Sequence, residues 1–588
     1  MRNISIPLAV CVLDEPDPNM SRTVSYPGYM LEILDHSGVC YTQVKKEELA
    51  DRLDRIGVLM TVGEGKLSDE LKSSLESWVK AGGAWLAMGG VCGMENLLGV
   101  EAEQPAYSYW GGSLSTLGEG YLKPESAEHP ILSHLEIPLH YFNGIPVMAR
   151  GAEVLAEAIN AHQQPTGRAA LTEIKVGDGK CVLIAPDVTG SVVRIQQGVS
   201  VSRDGIPAPD GTSPVCDSVL KSDDGQQLDW IFDRQPVEGV PGFKAFLQPV
   251  ADQWRELLLR AIFYLSSEQN INLPVLWLYP KNLRALGHLS HDSDGNDPDC
   301  ALAMLDTMAK TGINSTWCVH VPGYPADILD LIRQAGHELA MHFDSMSPGT
   351  CFSEEEFDSH FKELAELFGT APTTNKNHYL RWEGDTEFFE WCKKRGIMMD
   401  ESKGASKTGE AGFNFGTMTP YRPITRDGRI IDVLELPTLT QDLLVFAPKE
   451  LASPLIKTAV KHFGIVHFLY HPTHITKPEM PEAIVETVKT GRDAGLEWWT
   501  SRRIADWMKA RRATSWTAYS STDKSAIVKL KSAIALTDAT LLWLKPGKKI
   551  GLNGKEVNSI TVERWGFKFK SVVTNIEADS ELSFECGG

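Results

Sequence analysis

The sequence predicts an α/β protein in three parts. These are a parallel-sheet α/β domain over residues 1–272, a (β/α) barrel over 273–512 and a small antiparallel β-sandwich over 513–588. Three observations carry this. Short apolar runs alternate with amphipathic stretches in the first half, as parallel strands crossed by helices do. The rhythm restarts near residue 275 and gives six or seven repeats before residue 512, enough for a barrel. Beyond 512, Ser, Thr and Val dominate, and Asn553-Gly554 marks a hairpin.

In the first part, residues 4–13, 39–44, 56–62 and 84–88 read as strands. A short helix over 29–37 ends at Gly38, and an amphipathic one over 67–81 stops at Gly82-Gly83. Further strands are expected at 152–156, 169–176 and 180–185, and a strong helix over 249–266. Residues 199–242 are rich in Gly, Pro, Ser and Asp and read as a long surface excursion. The stretches AGGAWLAMGGVCGMENLLG and GDGKCVLIAPDVTGSVVRIQQG resemble the glutamine-amidotransferase-like (flavodoxin-like) domains. Cys92, in Gly90-Val-Cys92-Gly93 after a strand, stands where active members keep a nucleophile. A nucleophilic thiolate needs a base, and the His-x-Glu pair of that family is missing. His129, His134, His140 and His162 offer no substitute, so Cys92 is expected to be a packing residue in a non-catalytic domain.

In the second part, strands are expected at 284–290, 315–320, 338–342, 397–399, 430–436, 465–470 and 496–499. Helices are expected at 299–311, 325–335, 353–368, 385–395, 450–463 and 481–494. The apolar run 273–278 precedes them. Barrel chemistry sits at the C-terminal strand ends, where Asp292, Asp294, His342, Asp400 and His471 fall. In the third part, strands are expected at 526–531, 540–544, 559–562, 571–575 and 582–586, with no residue that points to chemistry.

Composition narrows the function. A formal net charge of −20 argues against nucleic-acid and anionic-membrane partners, which call for a basic face. No run of 18 apolar residues exists, so no membrane span is expected. The apolar stretch 4–13 contains Pro7 and runs into Asp14-Glu15-Pro16-Asp17, and no small-residue cleavage site follows. It reads as a strand and not as a signal peptide, which points to a cytoplasmic chain, although an exported chain lacking its leader would look the same. The ten cysteines (11, 40, 92, 181, 216, 300, 318, 351, 392, 586) form no Cys-x-x-Cys and suit reduced, mostly buried thiols.

The chain is organised around Gly287-His-Leu-Ser-His-Asp-Ser-Asp-Gly295. Asp292 and Asp294, at i and i+2 of an extended segment, point the same way. Two close carboxylates call for a cation, and 11 of the 16 histidines lie between His288 and His474. An Asp-rich capping turn is the alternative.

Asp292-Ser-Asp294-Gly295, then Gly336-His-Glu-Leu-Ala-Met-His342, then Leu469-Tyr-His471-Pro472 resemble the NodB-homology polysaccharide deacetylases (carbohydrate esterase family 4) in order and spacing. The resemblance implies a distorted (β/α)7 barrel, a divalent metal (usually zinc), and hydrolysis of an acetamide or acetate ester on a sugar. It makes Asp292 the general base, Asp294 and His342 metal ligands, and His471 the general acid. The sequence departs from the family twice. Ser293 separates acids that are usually adjacent, and Met346 stands where the second metal histidine belongs. A thioether does not replace an imidazole at such a site. His378, in Asn375-Lys-Asn-His378-Tyr-Leu-Arg-Trp382, is the expected third ligand. His337 competes, but five residues before His342 it faces the other side of a strand. Arg381 is expected to orient Asp292, Asp442 to hold His471, and Trp382 to wall the pocket, with a non-functional Arg-Trp at a helix start as the alternative. Tyr379, and Tyr421 and Arg422 in Pro420-Tyr-Arg-Pro423, are the other expected substrate contacts, the alternative for the latter segment being a stiff loop. His467 shares a strand face with His471 but lies ~13 Å away along the strand, and His474 reads as loop.

The expected partner is an acetylated sugar or glycan. Amidotransferase-like domains often make subunit contacts, which leaves room for a homo-oligomer through the first part. Three other readings stay open: a metal-dependent hydrolase of cyclic amides or ureides, a non-catalytic glycan-binding or assembly protein on a dead barrel, and an amidotransferase acting through Cys92.

Overall fold

The computed structural model describes residues 3–13, 24–103, 117–205, 207–212, 219–522, 525–545 and 549–587. Cys216 and the Asp14–Asp17 turn lie outside them, as does part of the 199–242 excursion. The chain divides into two compact units. One comprises Met1–Val192, Gln253–Asn282 and Lys509–Gly588; the other comprises Val193–Asp252 and Leu283–Met508. These divisions do not follow the expected boundaries at 272 and 512.

The first unit holds a mixed sheet. Its parallel strands run in the order Thr42–Gln43, Ile6–Val12, Ile56–Val62, Ala84–Met88 and Gly179–Ile184. Antiparallel strands Pro165–Val176, Glu153–Asn160, Glu119–Pro124 and Leu139–Phe142 continue it. The Ile56–Val62 and Ala84–Met88 strands are buried throughout, which is why they read as unbroken apolar runs. The Asp69–Lys80 helix begins at a Ser68 side-chain cap, and Tyr29–Ser37 ends at a left-handed Gly38.

The last 75 or so residues form two antiparallel sheets, and one of them recruits an earlier strand. Leu273–Leu276 pairs with Leu536–Leu544, which pairs with Phe567–Ile576 and through it with Ile560–Arg564. The apolar run at 273 therefore does not open the barrel. A strand whose every residue is buried needs a ladder partner, and Leu536–Leu544 supplies it.

The second unit is built on a curled parallel sheet. Its order is Leu434–Glu435, Met399–Asp400, Thr374–Asn377, Glu338–Phe343, Thr316–Val319, Leu286–Asp292, Ile465–Leu469 and Thr440–Gln441. The first and last strands of this order are separated in sequence only by residues 436–439. The sheet must curl to bring its edges to one segment. Helices Pro298–Thr311, Ala326–Gln334, Glu354–Phe368, Glu387–Arg395, Ala452–Lys461 and Met480–Asp493 alternate with the strands. Asp297 and Ser353 cap the first and third, and left-handed Gly312 and Gly369 end them.

Thr374–Asn377 was not expected as a strand. Its sequence, Thr-Asn-Lys-Asn, is polar, yet all four residues are buried. The faces of this sheet explain it. Leu289 belongs to the apolar core, whereas His288, Ser290 and Asp292 line the opposite face. There they meet Lys376, Glu401 and His467, all buried. A polar interior accepts a polar strand when its groups find partners. Among the described residues, no helix is long and apolar enough to cross a membrane.

Candidate metal centre

The Leu286–Asp292 strand ends in a tight turn, Asp294–Asn296, with Gly295 at φ 70°. The turn swings Asp294 beside its neighbour, and both acids face one imidazole. His342 Nε2 lies 3.4 Å from Asp294 Oδ1 and 3.9 Å from Asp292 Oδ2. His378, at the end of the adjacent Thr374–Asn377 strand, brings Nε2 to 3.6 Å from Asp294 Oδ1. His471, after Ile465–Leu469, brings Nε2 to 3.7 Å from Asp294 Oδ2. Asp292, Asp294, His342, His378 and His471 thus stand together.

Each of these imidazoles has its other nitrogen committed. His342 Nδ1 donates to the Lys376 carbonyl at 2.9 Å, and His378 Nδ1 to Asp344 Oδ1 at 2.9 Å. His471 Nδ1 donates to Asp442 Oδ2 at 2.5 Å, and Asp442 Oδ1 accepts the His471 backbone N–H at 2.8 Å. These acceptors cannot donate, so Nδ1 of each ring carries a proton and Nε2 is the nitrogen that faces Asp294. Asp294 Oδ1 and His342 Nε2 are buried and make no hydrogen bond. Buried polar atoms of this kind call for a further partner. Two imidazole nitrogens and a carboxylate oxygen are a donor set that fits a catalytic zinc.

The local electrostatics agree. Burial alone would raise the Asp294 carboxyl, but His342, His471 and His378 hold it well below the usual carboxylate range. Burial would lower His471, yet Asp442, with Asp294 and Asp292 behind it, raises it to about 9. His337 is lowered to about 4 by burial, and its Nδ1 accepts the Ser315 N–H at 3.0 Å, a core role.

The cation beside Asp292 is Lys376, not Arg381. Lys376 Nζ lies 3.4 Å from Asp292 Oδ1, 3.3 Å from Glu401 Oε2 and 2.5 Å from Ser290 Oγ. Arg381 pairs with Glu383 at 2.6 Å and donates to the Ser345 carbonyl. Met346 Sδ packs 3.8 Å from the Arg381 guanidinium and is no ligand. Trp382 is fully buried against Phe388 and Phe389 under the Lys403 ammonium, so it is core and not a pocket wall. Tyr421 is 2% exposed and donates to the Gln196 carbonyl, and Arg422 pairs with Asp432 at 2.7 Å. Tyr421 thus lacks the open position expected of a substrate contact, and the half-buried Arg422 is held by Asp432. Tyr379 is 54% exposed, and its ring stands edge-on to His378 at 4.6 Å. Asp400 is buried and accepts from Asn375 at 2.8 Å.

Lys376, Asp344, His320, Glu401 and His474 were missed by sequence reasoning. His320 Nε2 lies 3.2 Å from Asp344 Oδ2, and His474 Nδ1 lies 2.9 Å from Asp442 Oδ2. Asp344, two residues after His342 on an extended segment, was the one with a readable signal. In the first unit, Cys92 has φ 55° and is buried, and burial, with Glu64 next, pushes its thiol far up.

No protein-family model and no curated protein matches the chain. Among solved structures, the chain is similar to a protein described as a polysaccharide deacetylase from Mycobacterium smegmatis. Identity is 15%, over 40% of this chain and 93% of that one, with a TM-score of 0.31. It is similar to an allantoinase at 12% identity, over 39% of this chain and 91% of that one, with a TM-score of 0.31. It is also similar to a Bordetella bronchiseptica protein described as a polysaccharide deacetylase involved in O-antigen biosynthesis. There identity is 18%, over 40% of this chain and 93% of that one, with a TM-score of 0.25.

Proposed function

We propose that this chain is a divalent-metal-dependent hydrolase that removes acetyl groups from N- or O-acetylated sugars or glycans, on a distorted (β/α)7 barrel. One observation carries the reading: Nε2 of His342, His378 and His471 all face Asp294, each with Nδ1 held by an acceptor. That arrangement supports a metal held by Asp294, His342 and His378, with His471 left over for proton transfer. Zinc bound there supplies Lewis-acid polarisation of the acetyl carbonyl and of water.

Asp292 takes the proton of the attacking water, and Lys376 fixes the direction of its carboxylate. His471 carries the proton that the leaving amine or alkoxide needs, on the nitrogen that faces the site. Asp442 keeps the ring in that orientation through the opposite nitrogen. Base and acid on separate elements can then act at opposite ends of the breaking bond, as acyl transfer requires. Tyr379 is the exposed aromatic beside the ligands and the best substrate contact among those expected.

The first part is taken as a non-catalytic amidotransferase-like scaffold. Its parallel strand order, with the first strand between the second and third, supports this, as does the burial of Cys92.

The test is acetate release by zinc-loaded protein from a pool of acetylated mono- and oligosaccharides, with Asp294→Asn as the blank. Acetate from the wild type alone is expected. Equal release by both would remove the metal centre from the reaction.

A further inference from the structure

The segment that in the resembled family supplies the second metal histidine has here been rebuilt. Asp344 Oδ1 accepts the Met346 N–H at 2.8 Å, and Oδ2 accepts the Ser347 hydroxyl at 2.5 Å. The same carboxylate takes the His378 Nδ1–H on Oδ1 and lies against His320 Nε2 on Oδ2. His320 is tied to the Asp294 turn as well. Its N–H donates to Ser293 Oγ at 3.0 Å, and its carbonyl accepts from Asn296 Nδ2 at 2.8 Å. Its rings stand 5.1 Å from His378 and 6.0 Å from His342.

Resting on the metal-centre reading, we infer that His320 is a positioning residue. It holds Asp344, and Asp344 aims His378, the ligand that replaces the one lost at Met346. His320, Asp344 and His378 are close enough to be considered a cation site themselves. Two facts argue otherwise. The Asp344–His378 separation of 2.9 Å is a hydrogen bond, and Asp344 already accepts from Met346 and Ser347. His378 turns Nε2 to Asp294 Oδ1, 3.6 Å away, and not to Asp344, which it meets through Nδ1. A carboxylate behind a metal-bound imidazole fixes its tautomer and ring angle, and its loss typically costs 10–100-fold in metal affinity. His320 extends that support by one group and joins it to the turn that carries Asp294.

The test is zinc affinity of the full chain, measured by competition with a chromophoric chelator. His320→Leu is expected to bind zinc about 10–100-fold more weakly. His320→Gln, whose amide N–H can reach Asp344 Oδ2, is expected to recover most of that loss. Asp344→Asn, with one acceptor turned into a donor, is expected to weaken zinc by the same order, and it serves if the leucine variant does not fold. Wild-type affinity in His320→Leu or Asp344→Asn overturns the inference. So does a glutamine variant as weak as His378→Leu, which would make His320 a ligand. If Asp294→Asn binds zinc as tightly as the wild type, the metal-centre reading itself fails and takes this inference with it.

Discussion

Lys376 Nζ stands 3.4 Å from Asp292 Oδ1, and both side chains are buried. Asp292 and Glu401 together raise the Lys376 ammonium against the burial that would lower it. Removing one partner of a buried pair leaves charges without compensation, at about 3–5 kcal/mol. Lys376→Met is therefore expected to lower unfolding stability by that order in urea titration. Adding Glu401→Gln should recover part of the loss, because one orphaned charge is gone. An unchanged midpoint in the single variant would contradict the burial of this row.

A cation that binds only the folded form stabilises it by mass action. Zinc at about 100 times its dissociation constant adds about 2.7 kcal/mol. The wild-type thermal midpoint should rise with zinc and fall back with a chelator. Asp294→Asn and His342→Gln should show little of this shift. A full shift in either would mean that the ion binds elsewhere.

His471 sets a pH dependence in metal-free protein. Its folded pKa, about 9, lies above the ordinary 6.5. Its contribution is therefore fully present below about 6.5 and is lost as pH rises through 9. The gap of 9 − 6.5 corresponds to on the order of 3 kcal/mol. Asp442→Asn removes the main group that raises it, so the fall in thermal midpoint between pH 6.5 and 9 should flatten. Equal slopes in both proteins would rule out this pairing.

Cys92 should behave as a core thiol. Burial, with Glu64 next, holds it protonated. Iodoacetamide at pH 8 is expected to label exposed Cys351 in native protein and to reach Cys92 only in denaturant. Glutamine hydrolysis should be absent. Rapid native labelling of Cys92 would reopen the amidotransferase reading.

Much of the second unit was legible because its helices carry strong end signals. Asp297 before Pro298 and Ser353 before three glutamates stand at their starts, and Gly312 and Gly369 at their ends. The strands Ile56–Val62 and Ala84–Met88 were legible as buried runs. Thr374–Asn377 was not, because apolar pattern is the usual mark of a buried strand and this one faces a charged interior. Leu273–Leu276 was visible only as an apolar run, and its strand partner, Leu536–Leu544, lies more than 250 residues away. Sheet pairing over that distance leaves no local trace.

The sequence by itself determined which chemical groups are available. Asp292 and Asp294 are two residues apart on an extended segment, histidines follow at family-like spacing, and Met346 leaves a ligand to be found. Tertiary structure alone decided which groups meet. Parallel pairing of Glu338–Phe343 with Thr374–Asn377 brings His378 to Asp294 and puts Lys376, not Arg381, beside Asp292. The fold also buries Trp382 and Tyr421, which the sequence offered as a pocket wall and a substrate contact. The physical reason is range. Side-chain direction along one strand follows from a two-residue period. Contact between strands depends on register, and register is set by the packing of the whole curled sheet.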